Sequence, residues 1–121
     1  MFNLTKEFKF EAAHKLPKHD GKCARLHGHS FVGEMEFTAS GLHESGPKSG
    51  MVLDFGDASA AVKPLLEESL DHHYLNDTTG LANPTSEELA RWVFDQLAPK
   101  LPLLTAVTIR ETCTSACTYR P

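Results

Sequence analysis

Two runs of strict alternation constrain this chain more than anything else in it. In residues 2–14, Phe2, Leu4, Phe8, Phe10 and Ala12 share one parity, while Asn3, Thr5, Glu7, Lys9 and Glu11 share the other. In residues 29–40, His29, Phe31, Gly33, Met35, Phe37 and Ala39 alternate with Ser30, Glu34, Glu36, Thr38 and Ser40. A period of two belongs to a β-strand with one buried face. The spacing therefore predicts two long, half-buried strands, with Lys6 the one interruption on the apolar side of the first.

The same parity carries histidines. His14 is the next inward residue of the first strand, and His27 and His29 extend the inward row of the second. At a rise of about 3.3 Å per residue, His27 and His29 have Cα atoms roughly 6.6 Å apart on one face. Paired antiparallel across the loop at 15–25, the two strands would bring three imidazoles to one end of the sheet. Zinc–nitrogen bonds are about 2.0–2.1 Å long, and three protein ligands leave a fourth position open, the pattern of a catalytic site. Gly28, between two of the histidines, lets backbone or substrate approach closely. Cys23 lies near enough in sequence to place a thiolate beside such a metal. A pair of histidines on a wet strand also arises by chance; the convergence with His14 favours the metal.

Composition sets the outer limits. One domain spanning 1–121 is expected at this length, which is large enough for its own core. A net charge of −4 argues against a general nucleic-acid-binding role. No apolar run reaches the ~18 residues of a membrane span, and the polar N-terminus does not look like a signal peptide. Three cysteines, none in a Cys-x-x-Cys pair, argue for reduced thiols and a cytoplasmic setting. Cys113 and Cys117 read as structural. The loop at 15–25 is locally basic, with Lys15, Lys18, Lys22 and Arg25 against Asp20, and suits either an anionic substrate or plain solvation. His19 and His43 read as exposed.

Further along, Met51–Leu53 reads as a short strand and Asp54 as the cap of a helix whose apolar stripe is Ala58, Ala61, Val62, Leu65 and Leu66. Pro64 predicts a kink or break in it. Asp71-His72-His73 follows, a carboxylate beside imidazoles that reads equally as loop or as site. Thr85 and Glu88 have capping-box spacing ahead of a helix with Leu89, Trp92, Val93 and Leu97 as its buried stripe, ending before Pro99. The last main strand, 103–113, puts Leu103, Val107 and Ile109 inward, and Glu111 continues that row. A carboxylate there is costly to bury without a cation or donors.

Taken together, Phe-Glu-Ala-Ala-His at 10–14, Cys-x-x-x-His-Gly-His at 23–29, Leu-Asp-His-His-Tyr-Leu-Asn at 70–76, Asn-Pro-Thr-Ser-Glu at 83–87 and Glu-Thr-Cys-Thr at 111–114 resemble the 6-pyruvoyltetrahydropterin synthase-like family, most closely its bacterial 6-carboxytetrahydropterin synthases of the queuosine pathway. The resemblance implies an α+β tunnelling fold (T-fold), a four-stranded antiparallel sheet with two helices on one face in the order ββααββ. It also implies Zn2+ on His14, His27 and His29, Cys23 as an acid/base thiol, Asp71 and His72 as a second proton-transfer pair, and Glu111 as the carboxylate that anchors a pterin. The implied substrate is a pterin triphosphate, with the basic loop a candidate for steering it. The implied assembly is a homo-oligomer, trimer or hexamer, with sites between subunits, so that Glu111 and the zinc ligands could come from different chains. Two other readings stay open: a synthase of the pyruvoyl type, with the same residues but no carbon–carbon cleavage, and a non-catalytic zinc-stabilised module. The short Cys23-x-x-x-His27 spacing favours the queuosine-type branch over the first.

Overall fold

The computed structural model describes all of residues 1–121. Both predicted strands form, as β1 (Phe2–His14) and β2 (His27–Ala39). They pair antiparallel along their whole length, from Phe2 opposite Ala39 to His14 opposite His27. Phe8, Phe10, Ala12 and His14 are buried on β1, and Phe31, Gly33, Met35 and Phe37 on β2, as the parity requires. Phe10 and Phe31 face each other across the pair with ring centroids 4.8 Å apart. Opposite Phe8 stands Gly33, where a Cβ would lie 2.1 Å from the Phe8 ring. The glycine is what lets that ring lie flat on the sheet.

Helix α1 (Phe55–Leu65) starts where expected, with Asp54 Oδ1 accepting the Gly56 N–H at 2.8 Å. The predicted strand at Met51–Leu53 does not form. That segment bonds locally instead, the Met51 carbonyl accepting the His43 N–H at 2.9 Å, while Val52 is buried. Pro64 does not end α1; the disturbance comes one residue beyond its end, as a π-helical turn over Leu66–Leu70 closed by the Asp71 N–H donating to the Leu66 carbonyl. After a two-residue strand β3 (His73–Tyr74) and a single turn α2 (Leu75–Thr78) comes α3 (Ser86–Leu97). Thr85 Oγ1 accepts the Glu88 N–H at its start. Leu89, Ala90, Val93, Phe94 and Leu97 are its buried residues; Trp92, on the flank of that stripe, is only partly buried.

The chain closes with β4 (Leu104–Thr112) and β5 (Ser115–Tyr119). β4 pairs with β2 with one irregularity: Glu36 meets Ala106 and Phe37 meets Leu104, so Thr105 is the extra residue of a bulge. The bulge shifts parity, burying Leu104 with Val107 and Ile109 and leaving Leu103 38% exposed, against the expectation. Thr105 Oγ1 fills the gap by bonding the Glu36 carbonyl.

The class is α+β, as expected, but the sheet has five strands in the order β3-β1-β2-β4-β5. The fifth is β3, which lies parallel to β1 because Asp71 and His72 dock on Glu11 and deliver the chain to that edge. α1 and α3 cover one face, and their apolar residues complete a single core with β1, β2 and β4. No helix is long and apolar enough to cross a membrane.

Candidate metal centre and its surroundings

The register that pairs His14 with His27 and Ala12 with His29 brings three imidazoles to the end of the sheet. Ring centroids are 4.5 Å apart for His14 and His27, 5.1 Å for His14 and His29, and 4.9 Å for His27 and His29. One ring nitrogen from each lies within 4.8 Å of the others.

For His14 and His27, backbone carbonyls decide which nitrogens those are. His14 Nδ1 is 2.9 Å from the Pro84 carbonyl, and His27 Nδ1 is 2.7 Å from that of Arg25. A carbonyl oxygen only accepts, so each Nδ1 carries the proton and each Nε2 keeps its lone pair. The Nε2 atoms of His14 and His29 are buried without a hydrogen-bond partner. A buried lone pair left unmatched is costly, and a metal ion relieves that cost. Burial also holds the His14 pKa below its ordinary value, opposed by the Pro84 bond and Glu111, which favours the neutral form that ligates a metal. The donor set suits a zinc-type divalent ion.

Glu111 arrives from β4, with carboxylate oxygens 3.7 Å from His29 Nε2 and 4.0 Å from His14 Nε2. One chain thus supplies both the imidazoles and Glu111. The same carboxylate lines a second, polar cavity of about 550 Å³ between the start of α3 and the β4–β5 hairpin, with Ser86, Glu87, Thr112, Ser115 and Thr118. Cys117, whose thiol burial pushes up, also lines it, and Cys113 is exposed.

Cys23 returns to the histidines because the loop after β1 closes on itself. Leu16 is buried, and its N–H donates to the Cys23 carbonyl at 2.9 Å. Cys23 then shares a cavity with His27 and His29. At the loop's start, Asn76 grips Lys15, the residue after His14: Lys15 N–H donates to Asn76 Oδ1 at 2.9 Å and Asn76 Nδ2 donates to the Lys15 carbonyl at 2.8 Å.

Asp71 and His72 are placed elsewhere. Asp71 Oδ1 accepts the Glu11 N–H at 2.9 Å, and His72 donates its own N–H to the Glu11 carbonyl at 2.6 Å. His72 holds φ at +61°, a left-handed value uncommon outside glycine. Its Nδ1 lies 3.1 Å from Asp71 Oδ2; the Glu11 N–H first and the His72 ring second keep the Asp71 carboxyl below the usual carboxylate range. His72 borders a cavity with Glu11, Ala13, Gly28 and Ser30, which alternate with the core-facing residues, and with Ala12 and His29 of the inward row. Within one chain, Cys23 and His72 line different cavities, and His29 lines both. His73 is tied to the Glu67 carbonyl at 2.8 Å. His19 and His43 are exposed, as expected.

Sequence reasoning missed the orienting carbonyls of Pro84 and Arg25, the Asn76 clamp and the polar wall around Glu111. By residue type Asn83-Pro84-Thr85 reads as a helix start and a family motif; a carbonyl partner leaves no mark on residue identity.

The family model described as 6-pyruvoyl tetrahydropterin synthase matches residues 3–121. A curated relative from Synechocystis sp., named 6-carboxy-5,6,7,8-tetrahydropterin synthase, is 50% identical over 98% of this chain and 93% of its own. One of the same name from Haemophilus influenzae is 34% identical over 99% of each. The solved structure of 6-pyruvoyl tetrahydropterin synthase from Caenorhabditis elegans superposes with a TM-score of 0.83 at 28% identity, covering 99% of this chain and 95% of that one. The T-fold architecture and a match along nearly the whole sequence place the chain in one group of pterin enzymes: it belongs to the 6-pyruvoyl tetrahydropterin synthase family.

Proposed function

We propose that this protein is a zinc-dependent 6-carboxy-5,6,7,8-tetrahydropterin synthase of queuosine biosynthesis. It would convert 7,8-dihydroneopterin triphosphate and water to 6-carboxy-5,6,7,8-tetrahydropterin, acetaldehyde and triphosphate. The observation that carries the reading is the convergence of His14, His27 and His29, with the Nε2 atoms of His14 and His29 buried and unpartnered, in the cluster that Cys23 and Glu111 adjoin. The names of the relatives favour the carboxy product.

On this reading His14, His27 and His29 hold Zn2+, which supplies Lewis-acid chemistry toward the hydroxyls of the substrate side chain. Glu111 accepts two N–H bonds from the guanidine-like edge of the pterin, as a carboxylate does from arginine. The cavity it lines is of a size that small-molecule sites commonly have. Cys23 takes and returns a proton at Sγ beside the side-chain carbons. Asp71 orients His72 and balances its charge for a second proton transfer. Assembly into a homo-oligomer would bring His72 to a site that its own chain does not complete.

Product analysis tests the reading. Zinc-loaded protein is incubated with 7,8-dihydroneopterin triphosphate, with mass spectrometry of the pterin and trapping of acetaldehyde. A 6-carboxy product with matching acetaldehyde is expected. A 6-pyruvoyl product without acetaldehyde would move the protein to the pyruvoyl branch. No product would leave a zinc-stabilised binding module.

A further inference from the structure

Four basic residues crowd the loop between β1 and β2, and the structure sorts them. Lys15 and Lys18 line none of the cavities around the imidazoles; their backbone N–H groups bond Asn76 and Asn83. Lys22 and Arg25 do. With Cys23, Leu26, His27 and His29 they wall a cavity of about 400 Å³ that no carboxylate lines.

Their placement follows from the backbone. Lys22–Ala24 is one 3-10 turn, closed by the Arg25 N–H donating to the Lys22 carbonyl at 3.0 Å. At three residues per turn, positions i and i+3 eclipse, so the two side chains leave on the same side. The Arg25 carbonyl meanwhile accepts the His27 Nδ1–H, so one residue fixes an imidazole and presents a guanidinium beside it. Both side chains are exposed, and neither makes an ion pair; the paired cations of this chain are Lys48, Lys63, Arg91, Arg120 and the histidines of the sites described. In a protein of net charge −4, two uncompensated cations face a thiol and two imidazoles across one cavity.

We propose that Lys22 and Arg25 bind the triphosphate of the pterin substrate in this cavity, an inference that rests on the substrate reading above. The guanidinium fork matches two phosphate oxygens, and the ammonium adds a point charge. A triphosphate held there leaves the carbon chain attached to it beside Cys23 and the imidazoles.

The test uses zinc-loaded, full-length protein and inorganic tripolyphosphate as the probe, titrated calorimetrically at low and high salt. Lys22→Ala and Arg25→Ala are expected to weaken binding about tenfold or more each, the loss of one charge-assisted contact, and to reduce its salt dependence. Arg25→Lys should lose less than Arg25→Ala. Lys63→Ala, which removes the same charge on α1, should bind as wild type does. KM for the triphosphate substrate should rise in step, with zinc content unchanged because Arg25 holds His27 through its carbonyl. Tripolyphosphate that ignores the wild-type protein, or binds both alanine variants equally well, overturns the proposal while leaving product formation, and so the functional reading, intact. Loss of zinc from both variants would overturn it too. Failure of the functional reading is seen separately, as a wild-type enzyme that forms no pterin product.

Discussion

His14 and Pro84, seventy residues apart, meet at 2.9 Å, the imidazole Nδ1–H donating to the proline carbonyl. Pro84 immediately precedes Thr85, the cap of α3. The start of that helix therefore also aims a β1 imidazole, and the core packing of α3 is linked to the geometry of the centre. Orienting bonds of this kind typically contribute 10–100-fold in metal affinity.

Loss of a ligand should cost more than loss of an orienting bond. His14→Ala, His27→Ala and His29→Ala are each expected to reduce zinc affinity by more than about 100-fold. Wild-type protein should bind one zinc per chain. Competition against a chromophoric chelator measures both. Zinc at 100 times its Kd should also stabilise the fold by about 2.7 kcal/mol, so chelation should lower Tm.

Asn76 grips both backbone groups of Lys15 in the manner of a paired strand. Asn76→Ala should cost about 1–2 kcal/mol for the two bonds, and Asn76→Asp, which keeps only the acceptor, an intermediate amount. Because Lys15 follows His14, zinc affinity should fall about tenfold in the alanine variant. Urea denaturation of the zinc-free protein and chelator competition separate the two effects.

The parts of this molecule that the sequence exposes are those where side chains repeat with a period. Alternation in 2–14 and 29–40 placed both long strands and carried His14, His27 and His29 to one end. Asp54 and Thr85 marked their helices because caps are written in residue types. What stayed hidden is set by backbone: the Thr105 bulge that buries Leu104 in place of Leu103, the local bonding that replaces a strand at Met51–Leu53, and the docking of Asp71 and His72 on Glu11. Each depends on which carbonyl or N–H lies nearby in space. The local reading of Asp71-His72 stayed undecided for that reason.

Gly33 is required by Phe8 rather than by any turn. A Cβ at 33 would sit 2.1 Å from Phe8 Cζ, inside a buried pair. Gly33→Ala should destabilise the protein by about 2–3 kcal/mol through overpacking. Adding Phe8→Leu should recover part of that loss, whereas two independent sites would lose stability additively. Chemical denaturation of the two single variants and the double variant gives the answer.

His14 makes the zinc-free fold sensitive to mild acid. Burial holds its folded-state pKa below the ordinary value of 6.5. As pH falls, the unfolded chain takes up this proton before the folded one does. The stability is thus fully present above the unfolded pKa and lost as pH falls through it toward the folded value. One group can contribute at most about 1.4 kcal/mol per pH unit. Urea denaturation in chelator should show lower stability at pH 5.5 than at 7.5, and His14→Leu should flatten the difference.

Cys23 and His72 border different cavities of one chain, with His29 lining both, yet the proposed chemistry needs Cys23, Asp71 and His72 together. If the active site forms between subunits, a chain lacking Cys23 can still lend Asp71 to its neighbour. Cys23→Ala and Asp71→Asn should each be inactive alone with zinc retained. Refolded together in equal amounts, they should recover roughly a quarter of wild-type activity, since random assembly completes one site in four. Mixed protein that stays as inactive as its parents would show that both groups must act from the same chain, and the two cavities would then have to join by a movement of the β1 edge.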